Sequence, residues 1–386
     1  MFTSMIAKRN PKLVEAAVCL HQSGALAPNT HLIDLDALER NAAILAKTAE
    51  EHGMTLYYMT KQIGRSGFVG KHIEKSGIHK AVAVDIDEAI QLKDGGCAIG
   101  NLGHLVQPGK NQWPFVLTDM KPEVVTLFSL ERAKQLNEAA VQAGVVQDVI
   151  IRVISKGDCV FPGQYGGFLL EELPEAIKEL TAFTGIRLIG VTSFPVLAYT
   201  PGDNSYHYAS NAQTIVKAVR LLQQAGVEVK HVNTPSATSV NTIPMLKQLG
   251  ATHAEPGHAL TGTTPLHAYR EDLAELPAMV YVSEISHQDQ THAYTIAGGF
   301  YPRSNMAYAF YGDSPKTIFN KAEVDLVSPG NIDYYGALKR EQGMQTGDTV
   351  VYAYRSQVFV TRSHVAFVRG VANGKPVIVH QQKRGM

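Results

Sequence analysis

Leu56-Tyr57-Tyr58-Met59-Thr60-Lys61-Gln62-Ile63-Gly64-Arg65-Ser66 is a compact apolar, β-prone run that stops on a lysine, with a glycine and a helical pattern behind it. Apolar runs of this length bounded by turn residues are expected as buried parallel strands. A lysine at the carboxyl end of such a strand points into the mouth of a barrel or sheet, where α/β proteins place their chemistry. Desolvation makes its neutral amine accessible, which is the state that forms imines. The competing expectation is a strand-end lysine that snorkels to solvent. What flanks Lys61 decides between them.

Outward from this stretch, strand-like and helix-like segments alternate. Strands are expected at Leu56–Met59, Ala81–Val84, Leu102–Val106, Val124–Leu127, Val149–Ile154, Arg187–Val191, Val229–Val232 and Thr252–Glu255. Helical patterns fall between most of them: Asp87–Asp94, Leu130–Ala143, Leu170–Phe183, Ala209–Ala225 and Ser239–Leu249. Eight strands alternating with helices favour a (β/α)8 TIM-type barrel over an open doubly wound sheet. No GxGxxG follows the first strand, which weakens a dinucleotide-binding reading. Ahead of the barrel pattern, Pro11–Gln22 has the spacing of an amphipathic helix, and Asp36 is a plausible N-cap for Ala37–His52, with Glu39 at the capping-box position. After about Leu266 the texture changes to short β-type segments separated by Gly, Pro, Asn and Asp: Val280–Ile285, His292–Ile296, Val350–Tyr354, Gln357–Thr361, Val365–Val368 and Val377–Val379. The division expected is a barrel over residues 31–265 and a smaller, mostly β domain over 266–386, joined by the N-terminal segment 1–30.

The 35 basic and 35 acidic residues cancel, and no long run of like charge argues for nucleic acid or an anionic membrane surface as partner. Cys19, Cys97 and Cys159 are odd in number, far apart and without metal spacing such as CxxC, so reduced thiols, no metal and a cytoplasmic location are expected. For Cys159 a small buried hydrophobe is the ordinary expectation. No stretch approaches the length of a membrane span, and Met1–Asn10 lacks the pattern of a signal peptide.

Five groups fall at or just beyond the carboxyl ends of the expected barrel strands, the face where barrel active sites form. Lys61 is the first. Gly157-Asp158-Cys159-Val160-Phe161-Pro162-Gly163-Gln164-Tyr165-Gly166-Gly167-Phe168 is a loop able to wrap a ligand, although such loops are often only turns. Ser193-Phe194-Pro195 places an aromatic that could lie on a flat ring or simply belong to the core. Asn233-Thr234-Pro235-Ser236-Ala237-Thr238 offers hydroxyls and amides where a helix begins, suited equally to phosphate or to an ordinary cap. Glu255-Pro256-Gly257-His258 ends the eighth strand on a carboxylate, with a glycine amide able to approach phosphate. An ion pair is the plain alternative for Glu255.

The order of these elements resembles fold-type III pyridoxal-phosphate enzymes: alanine racemase, ornithine racemase-like proteins and basic amino-acid decarboxylases, nearest to the YhfX-like branch. Leu32-Ile33-Asp34-Leu35-Asp36-Ala37-Leu38-Glu39-Arg40-Asn41 is similar to the opening segment of alanine racemase, Val84-Asp85-Ile86-Asp87-Glu88-Ala89 to its second-strand element and Glu255-Pro256-Gly257 to its arginine-proline-glycine element. The resemblance implies pyridoxal 5'-phosphate as cofactor, with Lys61 forming the internal imine and exchanging a proton at the substrate's α-carbon. It also implies Ser236, Gly257 and the backbone amide of His258 at the phosphate, and Glu255 facing the pyridine nitrogen. A symmetric homodimer with shared active sites is implied as well.

The departures carry equal weight. Glu255 stands where alanine racemase has arginine and the decarboxylases have glutamate. Arg65 replaces a phosphate-contacting tyrosine, Gln164 replaces an arginine, and Phe194 falls where relatives stack histidine on the ring. In the β domain, Ala297-Gly298-Gly299-Phe300-Tyr301-Pro302-Arg303 resembles the segment carrying the opposite-face tyrosine, whose own position is Ala297. Tyr301, His287 and Tyr334 are then candidate second bases, and Asp333, in Gly330–Tyr335, a candidate substrate contact. The expectation is an amino-acid racemase. The alternatives are a decarboxylase, a D-amino-acid aldolase or dehydratase, and a non-catalytic cofactor-binding protein.

Overall fold

The computed structural model describes residues 1–296, 306–326, 334–357, 360 and 362–385. Contacts divide the chain into two compact units that are not stretches of consecutive sequence. One contains Leu45–Thr60 and Ser66–Gly257; the other contains Met1–Ile44, Lys61–Arg65 and His258–Met386.

The first unit is a closed barrel of eight parallel strands: Thr55–Met59, Lys80–Ala83, Ile99–Leu102, Val124–Leu127, Gln147–Ile154, Ile186–Thr192, His231–Asn233 and His253–Ala254. Each strand pairs with the next in sequence, and the eighth returns to the first. Such strands are covered on both faces, which is why their sequences are nearly continuous apolar runs. Helices Gly67–Lys75, Ile86–Asp94, Leu130–Ala143, Leu173–Ala182, Asn211–Gln224 and Ile243–Gln248 lie between strands. Their ends are written locally. Asp85 accepts a hydrogen bond from the Glu88 amide, Ser129 accepts one from Arg132, and Gly144 closes the helix after Ser129 with φ of 68°. Gly190, inside the sixth strand, allows a close backbone approach: a Cβ there would sit 1.7 Å from the carbonyl oxygen of His231.

All eight expected barrel strands occur, with one shifted. The third runs over Ile99–Leu102 instead of Leu102–Val106, because Gly103 takes φ of 82° and turns the chain out of the sheet. An antiparallel hairpin, Leu197–Thr200 with Ser205–Tyr208, follows the sixth strand and was not anticipated.

The second unit is built on a nine-stranded sheet. Thr30–Asp34 lies within it, parallel to His364–Arg369 and antiparallel to Met279–Gln288. The remaining strands are His292–Ile296, Tyr308–Gly312, Asn320–Asp325, Tyr335–Lys339, Thr349–Tyr352 and Val377–Gln382. The helix Pro11–Gln22 buries Leu13, Val14, Ala17 and Val18 against Val280, Val282, Val351 and Ala366. Burying each such side chain stabilises by about 1.5–3 kcal/mol. The strand expected at Gln357–Thr361 does not form at its described residues, Gln357 and Val360.

The helix after Thr30–Asp34 spans Leu35–Glu51, so it starts before the expected Ala37. Asp34, not Asp36, caps it: the Ala37 amide donates to Asp34 Oδ1 at 3.2 Å. Asp36 is left in the first turn, where with Glu39 it grips Arg369.

Candidate active site

In the barrel unit the interior carries a polar tier at the carboxyl ends of the strands. Residues in register on neighbouring parallel strands share a face. Arg152, Thr192 and Asn233 are in register on the fifth, sixth and seventh strands. Glu255 follows the eighth. Its Oε1 accepts from Asn101 Nδ2 at 2.9 Å and from Asn233 Nδ2 at 2.8 Å. Asn101 comes from the third strand, and its amide is oriented by Thr126 of the fourth, whose Oγ1 donates to Asn101 Oδ1 at 2.8 Å. Groups from four strands meet in this way only inside the closed barrel. The other carboxylate oxygen, Oε2, lies 3.2 Å from His104 Nδ1. Thr238 Oγ1 accepts the Glu255 backbone amide at 3.2 Å. Glu255 is 3% exposed, so this is a carboxylate held in fixed position inside the protein by directed donors. Nearby, Phe194 is half-buried, with its ring 5.6 Å from that of His104 and 5.5 Å from that of Phe161.

One tier nearer the amino ends, the rings of His231 and His253 stack at 3.6 Å and 6°, and Tyr57 packs 5.7 and 5.3 Å from them. Burial lowers the pKa of both histidines, that of His253 to about 4.

At the end of the first strand, the Met59 amide donates to Pro256 O at 3.0 Å, joining it to the chain leaving the eighth. Thr60 Oγ1 donates to the fully buried Glu88 at 2.8 Å, and Glu88 also accepts the Val84 amide at 3.0 Å. Glu88 therefore fixes the residue that immediately precedes Lys61.

Lys61 itself belongs to the second unit, where it begins a 3-10 turn ending at Ile63. Ser356 clamps that turn. Its Oγ donates to Gln62 O at 2.9 Å, while its own carbonyl accepts from His258 Nε2 at 2.8 Å. The latter bond places the His258 proton on Nε2. Burial, then the charges of Arg355 and Lys61, hold the His258 imidazole well below its usual pKa, so it is neutral beside these cations. Gly64 has φ of 86° and faces Val365, whose Cγ2 would stand 2.8 Å from a Cβ; Arg65 follows in the left-handed region at φ of 55°.

Of the residues expected from sequence, the structure gathers Glu255 with the Asn233–Thr238 segment and Phe194 with the Glu255 partner His104. It gathers Lys61 with His258 in the other unit. Ser236 is buried and its Oγ accepts the Val196 amide at 2.6 Å, leaving its hydroxyl hydrogen free to donate elsewhere. Gly257 is buried next to His258. Tyr301, Asp333 and Ala297 lie outside the described residues. His287 is exposed and stacked on Tyr294 at 4.8 Å, and Tyr334 is exposed. Cys159, expected as a buried hydrophobe, is exposed, and its amide donates to Asn211 Oδ1 at 2.9 Å. Sequence reasoning did not identify Asn101, His104, Thr126, Arg152, Thr192, Arg355 or Ser356. A polar residue inside an apolar strand, as in Ile99–Leu102 and Gln147–Ile154, was the available signal for Asn101 and Arg152.

A family model described as "Alanine racemase, N-terminal domain" matches residues 33–265, and one described as "YhfX-like, C-terminal domain" matches residues 280–378. The protein YhfX of Escherichia coli (strain K12) is 37% identical over 379 residues, covering 98% of this chain and 97% of that one. Among solved structures, D-threonine aldolase from Filomicrobium marinum is similar with a TM-score of 0.69, 17% identity and coverage of 92% of this chain and 94% of that one. Alanine racemase of Clostridium difficile 630 in complex with cycloserine is similar with a TM-score of 0.66, 20% identity and coverage of 93% and 99%. The two solved structures share the fold of this chain.

Proposed function

This chain belongs to the alanine racemase-like family of fold-type III pyridoxal-phosphate enzymes, and from that premise we propose that it is an amino-acid racemase. Pyridoxal 5'-phosphate is the cofactor of this family. The residues fit it. Glu255 is a carboxylate held by Asn101 and Asn233, with His104 Nδ1 beside its other oxygen, suited to a protonated ring nitrogen. Thr192 Oγ1 and Asn233 Oδ1 are buried without partners, so the barrel interior has polar capacity to spare for a ligand.

When bound, the cofactor supplies an electron sink that makes an amino acid's α-proton removable by an amine. Lys61 Nζ holds the cofactor and then takes or returns the α-proton on its own face. A group on the opposite face completes inversion, with Tyr301 proposed for that task and Asp333 for a substrate contact. Glu255 holds the proton of the ring nitrogen. Ser236, Gly257, the His258 amide and Arg65 would bind the phosphate, and Phe194 would help hold the ring. The working form proposed is a cytoplasmic homodimer; no described helix is long and apolar enough to cross a membrane.

The observation that carries the proposal is the strand-end Lys61 on a turn fixed by Ser356, together with a carboxylate fixed at the end of the eighth strand. Reduction of the loaded protein with borohydride is expected to trap the cofactor at Lys61, and Lys61→Ala is expected to lose the visible band. Wild type should then exchange α-hydrogen for deuterium and equilibrate the enantiomers of at least one amino acid in a panel. Trapping at another residue would overturn the assignment of Lys61.

A second reading has one observation in its favour. A carboxylate at the ring nitrogen makes a stronger sink than a guanidinium, which also suits decarboxylation or D-amino-acid aldol and dehydration chemistry. Release of carbon dioxide, an aldehyde or ammonia without racemisation would select it.

A further inference from the structure

The loop Gly157–Phe168 leaves the fifth strand at the end where Glu255 is held, and it is tied down at several points. The Ser155 amide donates to Asp158 Oδ2 at 2.8 Å, Thr214 Oγ1 donates to Asp158 Oδ1 at 3.0 Å, and the Cys159 amide donates to Asn211 Oδ1 at 2.9 Å. Within the loop, Phe161-Pro162-Gly163-Gln164 closes a turn: the Gln164 amide donates to Phe161 O at 3.0 Å, and Gly163 takes φ of 81°. Proline followed by a glycine of positive φ is the pattern of a type II turn, whose ends lie within about 7 Å of each other. The buried Arg152 fixes this turn from the barrel interior, its Nη2 donating to Gln164 O at 2.7 Å.

A turn so constrained holds two side chains in place. Phe161 is 46% exposed, with its ring 5.5 Å from that of Phe194 and tilted by 51°. The Phe194 ring in turn lies 5.6 Å from that of His104, which is beside Glu255. Aromatic faces therefore run outward from the polar tier, and the outer one is half uncovered. Gln164 has the opposite character: its Oε1 is buried with no hydrogen-bond partner among the described residues. A buried acceptor without a donor is costly, and a ligand donor placed there recovers the loss. An apolar wall beside an unmet amide matches a flat ring that carries a hydroxyl. Such a group combines a large apolar area with a polar tip. Its hydroxyl can donate and accept, so it serves the amide in either orientation.

We propose that the Phe161–Gln164 turn reads the side chain of the bound amino acid, and that the preferred side chain is an aromatic ring bearing a hydroxyl, tyrosine being the simplest case. Phe161 packs on the ring, and Gln164 Oε1 accepts from its hydroxyl. That the molecule is an amino acid rests on the function proposed above; the preference for a ring hydroxyl rests on the turn alone.

The test compares tyrosine, phenylalanine and alanine on cofactor-loaded wild type, Phe161→Ala, Phe161→Leu and Gln164→Leu. The readouts are kcat/KM for α-hydrogen exchange and the rise in thermal midpoint that each amino acid produces. We expect wild type to favour tyrosine over phenylalanine by about threefold to tenfold, the worth of one hydrogen bond. Phenylalanine should exceed alanine by about tenfold or more. Gln164→Leu should erase the first ratio and keep the second. Phe161→Ala should cut the second by about tenfold, with Phe161→Leu between it and wild type. The midpoint rises should follow the same order. A turn with a purely structural role would affect all three amino acids alike and leave both ratios unchanged in the variants, which would overturn the proposal, as would a wild type that prefers alanine. If wild type forms no cofactor band, the function proposed above fails, and 4-methylphenol, a bare side-chain mimic, decides the turn by thermal midpoint. A rise that Phe161→Ala and Gln164→Leu abolish supports the turn as a recognition element; no rise in wild type overturns it.

Discussion

Two neighbouring tiers fill the barrel, and they treat buried polarity in opposite ways. The tier nearer the amino ends packs Tyr57, His231 and His253 as flat rings against one another. Its histidines are buried neutral, and His231 Nε2, which has no partner among the described residues, belongs to an uncharged group. The tier above it gathers Asn101, Thr126, Arg152, Thr192, Asn233 and Glu255. It contains a carboxylate with several donors and a guanidinium with too few acceptors. A neutral orphan costs about 1–3 kcal/mol, whereas an unpaired buried charge costs far more. Shifted pKa values alone would have pointed to the histidine tier. Directed donors and unmet charge point instead to the tier at the carboxyl ends, the face on which barrels hold ligands.

The sharpest way to break this contrast is Glu255→Gln. The side chain keeps its shape and an oxygen for Asn101 and Asn233, but not the charge. We expect α-hydrogen exchange to fall by about 10²–10³-fold, the range for loss of one electrostatic stabiliser, with the thermal midpoint little changed. A large loss of stability without loss of exchange would make the upper tier structural.

The lower tier makes a prediction in pH. Burial holds His253 at about 4 in the folded protein, below its ordinary value of 6.5, so between those values the unfolded chain binds more protons. Its contribution is therefore intact above pH 6.5 and is lost as pH falls toward about 4. His231 and the fully buried His31, held at about 3, act in the same direction. The thermal midpoint should fall across this window, and His253→Gln should flatten the fall. A slope unchanged in that variant would remove His253 from the acid sensitivity.

The smallest effect is expected for Tyr57→Phe, which removes a buried hydroxyl that interacts with Glu123. Stability should fall by about 1 kcal/mol or less in urea unfolding, the net worth of one ordinary hydrogen bond. A marked destabilisation would show that the lower tier depends on its polar groups as the upper one does.

The barrel was legible because its signals are local. Apolar runs such as Val124–Leu127 and the helix pattern of Leu130–Ala143 come from residues close in sequence, and both appear at the expected positions. Gly103 moved the third strand by a few residues, since a glycine's conformation is chosen by its surroundings. The hairpin after the sixth strand escaped notice because its short strands, Leu197–Thr200 and Ser205–Tyr208, lack a clear apolar run. Lys61 and Glu255 were legible as residues at strand ends. Their partners were not.

The sequence by itself determined the alternation of strands and helices, the β-rich second half, and a lysine and a carboxylate placed just beyond the first and eighth strands. Periodicity, capping residues and strand length are properties of neighbours along the chain. Tertiary structure alone decided that Thr30–Asp34 joins the sheet of the second unit, that Ser356 holds the Lys61 turn, and that Asn101 and Asn233 share one oxygen of Glu255. It alone left Arg152 buried with donors to spare. Those facts depend on the tertiary fold, which brings residues from 22 to 294 positions apart within hydrogen-bonding distance and leaves no trace in the spacing of either.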